Sequence, residues 1–284
     1  FLNLIVHLNN YGEINIYNRD IYDVWTGSFH AATSIGSRLT LIAATLIPLI
    51  LSWKSFGRYI RLILTTCAII SVVSSLMLAN RSIFVILAIT FILGLLIYFR
   101  LYSKNVRKVS KILLLFLIFG LSCAFIYYYD VFGVKTFYES TNFYYRLEKV
   151  NENWLTDNSR VDAWWNTILG LTQYPMGGSQ TSIGLAYAHN LWLDVAYTTG
   201  IIPLVLLLII TGIFVYFNIK IINYIAIPNS MKLYISTISI ALLLNFMIEP
   251  IFSGHYHLYM VFVFQIGLMH GLIEEHNVNN VSNT

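Results

Sequence analysis

The chain has 284 residues, of which 57% are hydrophobic and only 11% charged, with a mean hydropathy of +0.69 and a formal net charge of +4. A soluble domain carries roughly a quarter charged residues, so this composition excludes a globule bathed in water, and no nucleic-acid partner is expected. Apolar runs of spanning length recur, and a hydrocarbon core of about 30 Å takes about 20 such residues per helix. The fold expected is all-α, a polytopic transmembrane helical bundle.

Phe1–Leu8 reads as the tail of an apolar segment cut short, with no basic leader ahead of it. The expectation is the C-terminal portion of a longer membrane protein, lacking upstream spans. Spans follow at about Ala31–Leu51, Leu62–Ala79, Ser82–Phe99, Ile112–Tyr129, Leu191–Phe217, Leu233–Ile248 and Leu258–Ile273, seven in all. Residues 1–284 are expected to form one membrane domain. Asn80-Arg81 is the whole connection between the second and third spans, which predicts a tight antiparallel hairpin. Cys67 and Cys123 fall within apolar runs and are expected to pack as small hydrophobes.

Basic residues orient such helices. Lys54, Arg58 and Arg61 lie between the first two spans, Arg100, Lys104, Arg107, Lys108 and Lys111 between the third and fourth, and Lys220 and Lys232 between the fifth and sixth. These connections fall on one side, which the positive-inside rule makes cytoplasmic. The opposite side receives Arg81 and a large extracytoplasmic loop over 130–187. Within that loop the spacing predicts a surface helix. Asn158-Ser159 followed by Asp162 reads as an N-cap with a capping-box-like partner. Val161, Trp164, Trp165, Ile168 and Leu169 form an apolar stripe at helical spacing, and Tyr174-Pro175-Met176-Gly177-Gly178 ends it. Adjacent tryptophans suit the headgroup zone, so this helix is expected to lie along the membrane surface.

Several ionisable residues collect on the same side. Arg81 stands at the mouth of the hairpin, as a snorkelling helix-end cation or an anion ligand. Arg160 opens the surface helix, where a cation opposes the helix dipole. His189-Asn190 opens the fifth span, and a boundary histidine titrating near neutrality can take a proton. Arg38 lies about two turns into the first span, too deep to be without a partner. Glu249-Pro250 begins the last short turn, with His255 and His257. Imidazole and carboxylate are ordinary zinc ligands, but the spacing matches no metal motif, and the expectation is no metal. Arginines without metal point to an anion site, because guanidinium binds phosphate bidentately.

At these residues the sequence resembles the O-antigen ligase and polymerase superfamily of bacterial membrane glycosyltransferases. Asn80-Arg81-Ser82 matches its Ser-Arg pair at the outer start of a span, with asparagine replacing the usual serine. Arg160, Trp164 and Pro175-Met176-Gly177-Gly178 match an arginine and aromatic on a loop helix followed by a Pro-x-Gly turn. His189-Asn190-Leu191-Trp192 and Gly200-Ile201 match a His-Asn pair before an apolar helix with a Gly-Ile step. The resemblance covers roughly Gly27 to Gly271.

It implies transfer of glycan from undecaprenyl diphosphate to an acceptor hydroxyl, without metal or other cofactor, at the outer face of the cytoplasmic (inner) membrane. Under it, Arg81 and Arg160 hold the diphosphate, and His189 takes the proton from the attacking hydroxyl. Trp164 and Asn190 join the substrate site; beyond the resemblance, Arg38 is added as a phosphate or structural partner and Glu249 as an orienter. The partners implied are the undecaprenyl-diphosphate-linked oligosaccharide, the acceptor glycan, the bilayer, and chain-length regulator and flippase proteins. A polymerase that joins repeat units into O-antigen, capsule or exopolysaccharide is the leading reading; a ligase transferring glycan to lipid or protein is the alternative. A transporter of lipid-linked sugars, the alternative of another class, places its polar residues near the midplane on repeated halves. No repeat is evident along this chain.

Overall fold

The computed structural model describes residues 2–12, 20–102, 114, 118, 120–122, 125–139, 141, 143–145, 148 and 159–282, the side chains of 132, 137, 159 and 276–282 excepted. Among these residues, six helical segments are long and apolar enough to cross a membrane: Ala32–Leu51, Arg58–Met77, Ser82–Tyr102, Ile201–Asn223, Asn229–Ile248 and Tyr256–Glu275. The chain is a multi-pass helical membrane protein. Most of the predicted span Ile112–Tyr129, with Lys104, Arg107, Lys108, Lys111 and Cys123, lies outside the described residues, as does Asn158. Two compact units divide the chain, Phe1–Trp154 and Leu155–Thr284.

The first unit opens with α1 (Leu2–Tyr11) and a short antiparallel hairpin of β1 (Asp20–Tyr22) and β2 (Phe29–Ala31), in which Ile21 faces His30. The all-α reading omits this hairpin because strands of three residues are too short to show a period. The first predicted span is two helices, α2 (Ala32–Ala44) and α3 (Leu46–Leu51). Pro48 has no N–H to give the Ala44 carbonyl, so the ladder is dislocated at Thr45, whose hydroxyl donates to the Ile42 carbonyl at 2.6 Å. α2 packs against α4 (Arg58–Met77) and α5 (Ser82–Tyr102). Buried Ser34, Gly36, Ser37 and Thr40 on α2, and Ala68, Ser71, Ser74 and Ser75 on α4, keep both helices slim enough for close approach. Cys67 is exposed on α4. Further along, Asp130 accepts from the N–H groups of Lys135 and Thr136 at the start of α6 (Val134–Glu139).

The α4–α5 connection is Leu78–Arg81, two residues longer than predicted. The Ala79 N–H donates to the Leu76 carbonyl (3.1 Å) and the Asn80 N–H to the Ser75 carbonyl (2.9 Å), with Ala79 at φ 49°, a left-handed close to α4. The Asn80 Oδ1 then accepts from the Ser82 N–H (3.2 Å) and hydroxyl (2.6 Å), an Asx turn that starts α5.

The second unit holds α7 (Ser159–Gln173), α8 (Leu191–Thr199), α9 (Ile201–Asn223), α10 (Asn229–Ile248) and α11 (Tyr256–Ser282). The predicted span Leu191–Phe217 is broken at Gly200, whose φ of 89° and ψ of −169° separate α8 from α9. α8 is roughly 13 Å long at 1.5 Å per residue, too short to cross, so α9 crosses by itself. The Pro175–Gly178 turn holds the break open. The Ile201 N–H donates to the Pro175 carbonyl (2.8 Å), the Gly178 N–H to the Thr198 carbonyl (2.9 Å) and the Ser179 N–H to the Tyr197 carbonyl (3.0 Å). The two backbones are so close that a Cβ on Gly177 would strike Thr199 and Gly200, and one on Gly200 would strike Pro175 and Met176.

Gly200→Ala should therefore lower stability by about 2–4 kcal/mol, from backbone strain and overpacking together. The check is the thermal midpoint in detergent. Gly212→Ala, in α9 where an added Cβ meets nothing, should not lower it; equal midpoints for the two variants would refute the crossing.

Candidate functional site

The second unit brings together the loop that opens α8, the first turns of α7, and the end of α10. α7 begins and ends close to where its sequence predicts, but its apolar stripe is largely turned outward. Val161 and Trp165 are each 60% exposed, and Ile168 and Leu169 are exposed too. The packed face is instead Ala163, Thr167 and Gly170, with Trp164 half-buried beside them. Small residues at this spacing let α7 lie close to α8, and Thr181 occupies the place a side chain at Gly170 would need.

That approach lets Trp164 reach the loop. Its indole N–H donates to the Ala188 carbonyl at 2.6 Å. The Ala188 N–H donates to one oxygen of Asp194 (2.7 Å), the Asn190 N–H to the other (3.3 Å), and the His189 N–H goes to the same carboxylate. Asn190 caps α8, its Oδ1 accepting from the Leu193 N–H (3.2 Å), while its Nδ2 donates to the Met247 carbonyl at 3.5 Å. Between these fastenings His189 has φ 54°, the left-handed region, which a residue with a Cβ adopts only where its surroundings impose it.

Arg160 is exposed in the first turn of α7, and its Nη1 donates to the Ile248 carbonyl at 3.4 Å, a long bond. Ile248 ends α10, so the guanidinium stands against an unsatisfied carbonyl at the negative end of that helix's dipole. Glu249 and His255 are both buried and pair with each other, Oε2 to Nε2 at 3.7 Å, with the His255 Nδ1 3.3 Å from the Pro250 carbonyl. His257 is in the first turn of α11 rather than in the connecting turn. Among the described residues, no three His, Cys, Asp or Glu side chains are grouped as a metal ion would require.

No protein-family model, curated protein or solved structure matches the chain.

The electrostatics of this junction depart from the sequence reading in two places. His189 does not titrate near neutrality. Burial first, then the Arg160 guanidinium, then His255, push it down to about 4. Its Nδ1 is buried without a hydrogen bond, and its ring meets Tyr187 edge-on at 6.3 Å. Asp194 is the second departure, a site residue the sequence reading passes over. Burial pushes its carboxyl up to about 6, against the opposing pull of three backbone N–H groups. Its signal in the sequence is a lone acid within the apolar run Leu191–Tyr197, four residues after the capping Asn190.

Arg81 and Arg38 belong to the first unit. Arg81 is half-buried directly after the Asn80 turn, and Arg38 is exposed on α2 beside buried Ser37 and Leu39.

A neutral imidazole held by this environment makes a measurable prediction. A base whose pKa is lowered on folding adds stability above its ordinary value and loses it as pH falls through the lowered one, so this contribution is lost between about 6.5 and about 4. By NMR, His189 should titrate near 4, and Arg160→Gln should raise that midpoint by removing a cation that opposes protonation. A midpoint near neutrality in the wild-type chain would contradict the placement.

Proposed function

We propose that this chain is a membrane glycosyltransferase that polymerises undecaprenyl-diphosphate-linked oligosaccharide units at the outer face of the cytoplasmic membrane. The observation that carries the reading is the junction of Arg160 and His189. A guanidinium on one helix acts electrostatically on a neutral, half-buried imidazole held in a strained loop. A cation next to an uncharged base is the pairing that transfer from a lipid diphosphate calls for, one group to take the leaving anion and the other to take a proton.

The step runs as follows. The acceptor hydroxyl attacks the anomeric carbon of the donor and gives its proton to His189. The bond from that carbon to the diphosphate oxygen breaks, and the diphosphate leaves with the electron pair, held by Arg160. Donor binding also prepares the base. The charge of the diphosphate offsets the field of Arg160, which raises the histidine pKa from its resting value of about 4. Anchoring both reactants in the bilayer keeps the donor near the acceptor without any nucleotide. The resemblance gives Arg81 a diphosphate-binding role as well, and its variants test that role by themselves. Trp164 and Asn190 serve by fixing the histidine loop, and Glu249 by its pairing with His255. The outer location rests on Lys54, Arg58, Arg61, Arg100, Lys220 and Lys232, which the positive-inside rule places on the cytoplasmic side.

His189→Ala should abolish chain extension while leaving a folded, inserted protein. Arg160→Lys and Arg81→Lys should each reduce extension about 10- to 100-fold, because a point charge does not replace the planar fork. The measurement is glycan length in a deletion strain carrying each variant, and wild-type length with His189→Ala would remove the histidine from the chemistry. Single-unit chains in the deletion strain itself support a polymerase, and unattached lipid-linked polymer would reassign the chain as a ligase. Activity should persist in a chelator; its loss would bring metal into the step.

A further inference from the structure

We infer that Asp194 is the positioning residue of this site: by gathering the N–H groups of Ala188, His189 and Asn190, its carboxylate fixes the left-handed backbone of His189 and so sets where the imidazole stands. The role of that imidazole as a base rests on the proposed glycosyl transfer; the loop geometry does not.

A carboxylate that is 7% exposed needs a reason to be there. An ion pair is the commonest one, and among the described residues Asp194 makes none. Capping α8 is another, and Asn190 already does it. What the carboxylate touches is the loop, three consecutive N–H groups that form no helix or strand. Trp164 fastens the same loop from the other side, through the Ala188 carbonyl. Consecutive N–H groups turned toward one point require an unusual backbone, and here that is a histidine at φ 54°.

Protonation would take an acceptor from this arrangement. The titratable groups on neighbouring elements include Arg160 and Asp162 on α7, Tyr187 and His189 in the loop, Tyr197 on α8, and Glu249 and His255 beyond α10. α9 brings no charged side chain before Lys220, and α10 none between Lys232 and its end. Burial and the three N–H groups move the Asp194 carboxyl in opposite directions, with burial the stronger, and leave it at about 6. An acid raised on folding contributes stability that is full below its ordinary pKa and is lost as pH rises through the raised one. Opening of the loop with Asp194 still buried removes the N–H groups that lower its carboxyl, so acid favours that opened loop while also favouring the folded chain as a whole.

The test uses the full chain in detergent, comparing wild type, Asp194→Asn and His189→Ala. Asp194→Asn should cut kcat for extension on the lipid diphosphate about 100-fold, the scale of a 1 Å misplacement, with KM little changed. Wild-type kcat/KM should fall below pH about 6 in a chain that remains folded, and Asp194→Asn should lose that limb. Amide exchange by mass spectrometry should show the 188–190 segment deprotected in Asp194→Asn while α9 keeps its protection. Wild-type kcat or full protection of that segment in Asp194→Asn overturns the inference. Should that variant not fold, the wild-type chain still decides: protection of 188–190, corrected for intrinsic exchange, must fall as pH drops through about 6, and constant protection overturns the inference. The two readings fail differently. If His189→Ala abolishes extension and Asp194→Asn does not, positioning fails and the transfer stands. If no extension is seen even in wild type, the transfer reading fails and the exchange measurement still judges the loop.

Discussion

Ala188 and Asn190 are buried at the start of α8 in a stretch that is neither helix nor strand. Buried backbone donors have to be paired, and here the partner is a carboxylate one turn into the helix they precede. Much of the second unit follows from that. α8 must begin within reach of the loop, so Asn190 caps it and anchors to the Met247 carbonyl. α7 must come close enough for Trp164 to take the Ala188 carbonyl, which is why its packed face is Ala163, Thr167 and Gly170 rather than its larger apolar residues. A bulky side chain at Gly170 would meet Thr181 and move the indole away from its acceptor.

The other end of α8 is held as firmly, by backbone rather than side chains. Gly177 and Gly200 meet with no room for a Cβ on either, and three N–H···O bonds tie the Pro175–Ser179 segment to Tyr197–Ile201. α8 is thus a bracket with both ends fixed, set off from the crossing helix α9. The break at Gly200 frees the short helix from the direction of the long one, so the histidine loop takes its orientation from α7 and α10, whose residues it touches. A continuous helix would have tied loop and span together.

Hydrophobicity made the spans legible because lipid demands long apolar runs, and the capping and turn residues of α7 made that helix legible to within about a residue. The break at Gly200 was hidden for a physical reason. A single glycine in an apolar run is tolerated in a helix, and its partner, the Pro175–Gly178 turn, is more than 20 residues away in sequence. The packed face of α7, with its small Ala163, Thr167 and Gly170, was hidden likewise, since periodicity finds the apolar stripe and not the side that meets protein. Asp194 was visible as a lone acid in an apolar run, yet its task depends on φ at His189, which no pattern encodes. The same holds for the histidine pKa, set by burial and by a guanidinium on another helix.

Arg160 links these local facts to the proposed chemistry. In the first turn of α7 it works against that helix's dipole; the fold offsets this from the Ile248 carbonyl at the end of α10. The compensation is partial, since one bond of 3.4 Å engages one donor of a group that has five. An exposed guanidinium held so lightly gives up little when a phosphate offers two charge-assisted bonds instead. While that phosphate is absent, the same cation helps keep His189 neutral. A charged imidazole already holding a proton could not accept another, so the field that weakens the histidine as a base at rest also keeps it deprotonated until an anion arrives to strengthen it.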